Sequence, residues 1–298
     1  MRVLSVGHCT LEQIGLVEHF ARDDEEVEMP TFSVQGGGTA ATAAVVLARW
    51  GASTRFLGKV GDDRRGDHIV RTLSDEGVAT EQMVRDEGKI SQVRFVLVEA
   101  SSGERHAYST PGNVSPLQTD EVDVALVDDH DLLLVDGTFP DVSITLMERA
   151  KELEIPVLLK ADYGRQVVGD CIGHADVVVA SEREASAFTG VGSLEGICEA
   201  FLEFGPSKSI VTLGDEGAVA SGRDEEFIRV EARSVDMVDA TGSSDVFLGA
   251  VGLGVLAGWT LEQTVRFANA AAGISCTAPG ARSAVADRDQ LEAELGLP

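Results

Sequence analysis

Lysine is the scarcest charged residue in this chain. Lys59, Lys89, Lys151, Lys160 and Lys208 stand against 50 Asp and Glu, so arginine supplies most of the 24 basic residues and the formal net charge is −26. A surface of that sign repels nucleic acid and anionic membranes and excludes both as partners. The acidic stretches, such as Asp23-Asp24-Glu25-Glu26 and Asp128-Asp129, are scattered rather than gathered into a tail. Such repulsion is tolerable in high salt, where the Debye length falls to about 3 Å at 1 M. The expectation is a salt-accumulating cell; an acidic solubility surface in a low-salt cell is the alternative. Cysteine is equally sparse. Cys9, Cys171, Cys198 and Cys276 form no CxxC pair, which argues against a disulfide framework or zinc site and for a reducing cytoplasm. The six histidines have no metal-ligand spacing. No apolar run reaches 18 residues, so no membrane span is expected, and Met1–Gly7 is too short in its apolar part for a secretion signal. Repeats, low-complexity tracts and flexible linkers are missing as well.

What the chain does have is alternation. Strands are expected at Val3–Val6, Thr54–Leu57, Leu132–Val135, Val157–Lys160, Val177–Ala180 and Ser209–Leu213. Helical spacing falls between them at Gly38–Trp50, Arg65–Glu76, Ser143–Leu153 and Leu194–Phe204. This order argues for an α/β fold with a mainly parallel sheet covered by helices. Two β-rich excursions, Glu25–Val34 and Gln92–Tyr108, break the alternation and could pair into one small accessory sheet. One domain over residues 1–298, with an appendage drawn from segments near 8–35 and 88–112, is the economical organisation.

Asp239-Ala-Thr-Gly-Ser-Ser-Asp245 runs straight into the apolar stretch Val246–Ala257. A small-residue turn thus delivers a carboxylate to a helix start, where free N–H groups and the helix dipole favour anions. One reading is a proton acceptor beside a phosphoryl group; the other is that Ser243, Ser244 and Asp245 cap a buried helix. Gln35-Gly-Gly-Gly38 opens a helix with glycines that let another molecule approach the backbone, or that only make a tight turn. It is neither a GxGxxG after a strand nor a Walker A sequence, which excludes a P-loop enzyme and argues against a dinucleotide-binding dehydrogenase. Thr212-Leu-Gly-Asp-Glu-Gly217 reads on its own as a hairpin turn, with a nucleotide-wrapping turn as the alternative.

The order of these motifs carries more than any one of them. Gly36-Gly37, the G-x-x-G-x-D-x-x-G run from Gly58 to Gly66, T-x-G-x-x-G at Thr212–Gly217, D-x-T-G-x-x-D at Asp239–Asp245 and the stretch Phe267–Thr277 followed by Pro279-Gly280 occur in register. Together they resemble the ribokinase-like (PfkB) family of carbohydrate kinases over essentially the whole chain. The resemblance implies a three-layer α/β sandwich with a mainly parallel central sheet and a small β-sheet lid that often forms a homodimer interface. It implies transfer of the ATP γ-phosphoryl group to a hydroxyl of a sugar or related small molecule, with Mg²⁺. By the same resemblance Asp245 is the general base, and the backbone N–H groups of Gly242, Ser243, Ser244 and Asp245 form the anion hole. Glu12, Gly36 and Gly37 fall to the sugar; Thr212, Gly214, Gly217 and Asn269 fall to the nucleotide. Arg105, in the lid segment, reads by itself as solvated or salt-bridged, or as a substrate-binding residue meeting an anionic acceptor. Glu184 would act on Mg²⁺ through water, and Asp239 and Thr241 would hold a monovalent cation such as K⁺. Phosphoryl transfer asks mainly for positioning and charge stabilisation, which this set provides.

Four positions depart from the family pattern: Glu12 stands for Asp, Ala41 and Ser181 for Asn, and Ser244 for Gly. They leave the acceptor open among ketohexose, ribose and 2-keto-3-deoxygluconate. Lys160 reads as a partner of Asp162 or as a phosphate contact. Arg282 reads as solvated or salt-bridged, or as meeting an anionic substrate. His106 and Tyr108 could cover a sugar ring or simply pack on their strand. A nucleoside kinase of the same fold, and a non-catalytic sugar- or nucleotide-binding protein, are the competing functions.

Overall fold

The computed structural model describes residues 1–161 and 168–298. In chain order its strands are β1 (Arg2–Val6), β2 (Thr10–Val17), β3 (Thr31–Gly37), β4 (Ser53–Leu57), β5 (Lys59–Gly61), β6 (Val84–Asp86), β7 (Val93–Glu99), β8 (Arg105–Thr110), β9 (Leu132–Val135), β10 (Val157–Lys160), β11 (Val177–Ser181), β12 (Lys208–Thr212), β13 (Ala218–Gly222) and β14 (Glu225–Val230). The helices are α1 (Thr39–Arg49), α2 (Arg64–Asp75), α3 (Pro140–Glu152), α4 (Val168–Cys171), α5 (Glu182–Thr189), α6 (Leu194–Glu203), α7 (Ser243–Ala257), α8 (Leu261–Ser275) and α9 (Arg288–Leu295). All six strands expected from the alternation are present, within one or two residues.

Strands β4, β1, β9, β10, β11 and β12 are parallel neighbours, and β13 and β14 extend that sheet antiparallel. Alternate side chains enter two separate cores. Val3, Phe56, Leu132, Leu134, Leu158 and Ile210 pack with α1, α7 and α8. Leu4, Leu133, Val135, Leu159, Val178 and Val211 pack with α3 and α6. A sheet covered on both faces needs apolar residues at every position, which is why β9 reads Leu-Leu-Leu-Val. Helix α7 is apolar nearly all round for the same reason: Val246–Gly254 are all buried. Phe267 of α8 fills the space between Trp50 and Trp259, with ring centroids 5.3 and 5.1 Å away. The motif from Gly58 to Gly66 resolves into local structure, since Asp63 caps α2 by accepting from Gly66 N at 2.9 Å.

A second sheet has the order β3-β2-β7-β8, and β5 pairs with β6 alone. The first excursion therefore lies elsewhere than expected. Residues 25–30 are not a strand; β2 and β3 flank them. The acidic run and Pro30 explain this, because charge repulsion and a missing N–H both work against a paired strand. The sheet buries Thr10, Glu12, Ile14, Val96 and Val98 on one face and exposes Phe32, Val34, Phe95 and Tyr108 on the other. Period-two alternation puts Tyr108 and His106 on the outer face, where the His106 ring stacks on Phe20 at 3.9 Å. This favours the strand-packing reading of both; Arg105, Ala107 and Ser109 are the residues of β8 that face inward and line a cavity.

Candidate active site

In an open parallel sheet the natural crevice lies outside the carboxyl ends of the strands, where strand order reverses. Here the reversal falls between β1 and β9. Gly7 and His8 leave β1 there and Asp136 leaves β9, with His8 N donating to Asp136 Oδ2 at 2.8 Å. Two cavities open along this edge. One of about 450 Å³ lies between the sheet edge and the second sheet, lined by His8, Thr10, Glu12, Arg94, Arg105 and Asp245 among others. The other, of about 600 Å³, is lined by Thr212, Gly214, Gly217, Asn269, Phe247 and Cys276 among others. They share Ser244 at the start of α7.

The turn before α7 is built by its own sequence. Asp239 Oδ1 accepts from Thr241 N at 2.8 Å and from Thr241 Oγ1 at 2.7 Å, while Oδ2 accepts from Gly280 N at 2.8 Å. Gly242 then takes φ +72° and begins the helix with no side chain capping it. The capping alternative for Ser243, Ser244 and Asp245 therefore fails. Ser243 N bonds Ala240 O and Asp245 N bonds Gly242 O. Among the described residues the N–H groups of Gly242 and Ser244 make no backbone hydrogen bond of this kind. Asp245 sits one helical step further in and accepts from the Thr39 hydroxyl. Burial first, and then the nearby Glu12 charge, push its carboxyl up to about 6.

Glu12 is only 4% exposed and pairs with Arg94 across β2 and β7, Nη1 to Oε1 at 3.4 Å. Burial raises its pKa, with Arg94 and Arg282 opposing. Gly36 and Gly37 stand one layer behind the cavity. A Cβ on Gly37 would overlap the Glu12 carboxylate, and one on Gly36 would overlap the Arg282 guanidinium. Their absence of side chains makes room for protein groups. Arg282 is buried, and no salt bridge to it is found among the described residues. It is 6% exposed, its Nε and Nη2 lie 3.4 Å from Thr42 Oγ1, and burial brings its pKa down to about 10.

In the larger cavity, the hairpin from β12 to β13 and the lining of the cavity are the same residues. Gly217 takes φ +96°, and a Cβ there would overlap Val230 O. Asn269 lines the cavity too, but its amide donates to Val230 O at 3.0 Å, tethering the segment after β14. Ser181 caps α5 in a reciprocal box with Glu184, its hydroxyl donating to Oε2 at 2.8 Å. Lys160 Nζ reaches the same oxygen at 3.4 Å. Burial alone would raise the Glu184 pKa; Lys160 and the Ser181 bonds bring it below the ordinary carboxylate range. Asp162, the partner expected for Lys160, lies outside the described residues. No cluster of three metal-ligating side chains occurs among the described residues, and no described helix is long and apolar enough to cross a membrane. All four cysteines are free.

The site also holds residues that the motifs did not single out: Arg94, Thr39, His8 and Asp136. Arg94 shares its strand face with Gln92 and Val96, a period-two signal that could have pointed it inward.

The family model for the pfkB family carbohydrate kinases matches residues 1–288. The Bacillus subtilis ribokinase is 27% identical over 96% of this chain and 97% of its own. Fructokinase-1 of Oryza sativa is 31% identical over 85% and 86%. The solved ribokinase of Thermotoga maritima superposes with a TM-score of 0.83 at 26% identity, covering 99% of each chain. The Arabidopsis thaliana ribokinase, solved with ribose and ATP, gives 0.82 at 24% identity, covering 100% and 99%. The fold, the motif order and these matches agree: the chain is an enzyme belonging to the pfkB family of carbohydrate kinases.

Proposed function

We propose that this kinase transfers the γ-phosphoryl group of ATP to a hydroxyl of a sugar or sugar acid, with Asp245 as general base. The observation that carries the reading is a carboxylate lining one cavity, next to Ser244, which both cavities share, at an uncapped helix N-terminus. The acceptor hydroxyl would give its proton to Asp245 while its oxygen attacks the γ-phosphorus. The N–H groups of Gly242 and Ser244 would hold the developing charge. ATP in the Arabidopsis relative supports nucleotide binding along Thr212, Gly214, Gly217 and Asn269. No Phe, Tyr, Trp, Leu, Ile or Val lines the 450 Å³ cavity, which favours a sugar over a nucleobase. Its two carboxylates and two guanidiniums also balance, unlike the surface. The test is ADP release with MgATP across hexoses, pentoses, ketodeoxy acids and nucleosides. Turnover on a sugar or sugar acid supports the reading; turnover on a nucleoside alone, or none, overturns it.

Mg²⁺ bound with ATP would neutralise phosphate charge, and Glu184, held ionised, fits a ligand acting through water. Asp239 is 1% exposed and bonded only to neutral donors among the described residues, which suits a monovalent cation shared with Thr241. We place the enzyme in a salt-rich cytoplasm, on its charge and free cysteines. One experiment separates the two salt effects. The Tm is expected to rise between 0.1 and 2 M salt whichever cation is used, whereas kcat is expected to respond to KCl and not to choline chloride at equal ionic strength. A flat Tm removes the halophilic reading; equal kcat removes the cation site.

The same proposal treats residues 1–298 as one catalytic unit whose second sheet acts as a lid and dimer interface. Exposed Phe32, Val34, Phe95 and Tyr108 form an apolar face on that sheet. Wild-type enzyme is expected to sediment at twice the chain mass, and Phe32→Asp with Phe95→Asp at the chain mass. A monomeric wild type rejects the interface.

A further inference from the structure

Cations near the reacting atoms are few, and most are engaged. Arg94 is paired with Glu12 and Lys160 with Glu184, while Arg282 is buried behind Thr42. Arg105 differs. It projects from β8 into the acceptor cavity, and its described partner is a neutral oxygen: Nη1 donates to Thr241 Oγ1 at 3.3 Å. The neighbouring carboxylate Glu104 turns to His106 at 3.6 Å instead. In a chain with 50 acidic and 24 basic residues, carboxylates are abundant. Among the described residues no ion pair joins Arg105 to Glu12 or Asp245, the carboxylates of the same cavity, and its charge is left for a ligand.

Position says which part of the ligand. Thr241 immediately precedes Gly242, so Arg105 reaches from the second sheet to the edge of the anion hole. Arg105 thus stands at the Thr241–Gly242 end of the acceptor cavity, whereas Arg94 stands beside Glu12. We infer that Arg105 is a catalytic residue that donates hydrogen bonds to a non-bridging oxygen of the γ-phosphoryl group during transfer, so that seating of the second sheet completes the charge-stabilising set.

The inference rests on the proposed transfer. The acceptor oxygen forms a bond to the γ-phosphorus, its proton goes to Asp245, and the bond to the ADP oxygen breaks with its electron pair leaving on ADP. Arg105 neither gains nor loses a proton; it faces charge that spreads over the γ-oxygens. A charge-assisted bond that strengthens in the transition state lowers kcat when lost, and leaves acceptor KM largely alone.

The test compares wild type with Arg105→Ala and Arg105→Lys. MgADP binding is titrated with and without aluminium fluoride, and turnover is measured on the fastest acceptor of the panel. The expected result for Arg105→Ala is unchanged ADP affinity, a roughly 10- to 100-fold loss of the tightening caused by aluminium fluoride, and a matching fall in kcat. Added guanidinium is expected to restore part of the rate, and Arg105→Lys to keep more than Ala. A raised acceptor KM with unchanged kcat and fluoride response would assign Arg105 to sugar recognition and overturn the inference. So would no change in either. A wild type without turnover sinks the transfer reading itself; a working wild type matched by Arg105→Ala sinks only the role given to Arg105.

Discussion

Asp245→Asn is expected to fold, to bind MgATP, and to lose about 10²- to 10⁴-fold in kcat, the usual cost of removing a general base. Asn keeps the shape and a hydrogen bond to Thr39 but cannot take the acceptor proton. The raised pKa of Asp245, about 6, gives two further signs. The base works ionised, so kcat/KM should climb with pH through about 6 and level off above it. Stability runs the other way. A carboxyl whose pKa is higher folded than unfolded favours the native state while protonated, and that contribution is lost as pH rises through the folded value. At pH 7.5 the neutral Asn variant should therefore melt no lower than wild type. Near-normal kcat in a folded Asp245→Asn removes the proposed mechanism. A fall in Tm of many degrees would mean that the carboxylate supports the turn structurally.

Much of the fold was legible because burial on both sheet faces leaves a plain trace. Runs such as Leu132–Val135 and Val177–Ala180 can hardly be anything but central strands, and glycines at 51, 77 and 258 mark helix ends. Strand β2 was harder to see. Thr10–Val17 reads Thr-Leu-Glu-Gln-Ile-Gly-Leu-Val, and its buried Glu12 spoils the apolar pattern in the middle. A charge is tolerated there because Arg94 lies directly opposite in register, a contact between residues 82 positions apart. A still longer separation, 240 positions to Thr42, hid the surroundings of Arg282, which come from α1 and β3. Motif spacing located the turn at 239–245, but not which N–H groups it leaves free; that depends on the bonds to Ala240 O and Gly242 O. Gly36 and Gly37 were read as room for a sugar. In the structure an added Cβ at either would meet Arg282 or Glu12, contacts that a sequence alone does not show.

Gly242→Ala is the second substitution with a large expected effect. The residue takes φ +72°, where a side chain costs roughly 1–2 kcal/mol. Its Cβ would also overlap the Ala281 side chain and come within 3.1 Å of Ala281 Cα. Relief requires either turning the 240–242 peptide, which swings the Gly242 N–H away, or pushing out residues 280–282, of which Ala281 lines the acceptor cavity and Gly280 donates to Asp239. Both routes take a donor from the hole. Loss of one such donor typically costs about 10²- to 10³-fold in kcat, and that is the expected fall. Strain alone would not do this, and Gly258 offers the control. It has φ +69° at the other end of α7, with nothing within 4 Å of an added Cβ. Gly258→Ala should lower Tm through the same backbone strain while leaving kcat within about threefold of wild type. If both variants lose stability alike but Gly242→Ala keeps its rate, the N–H groups at the start of α7 do not stabilise the transferring phosphoryl. The anion hole would then have to be sought elsewhere along the strand ends.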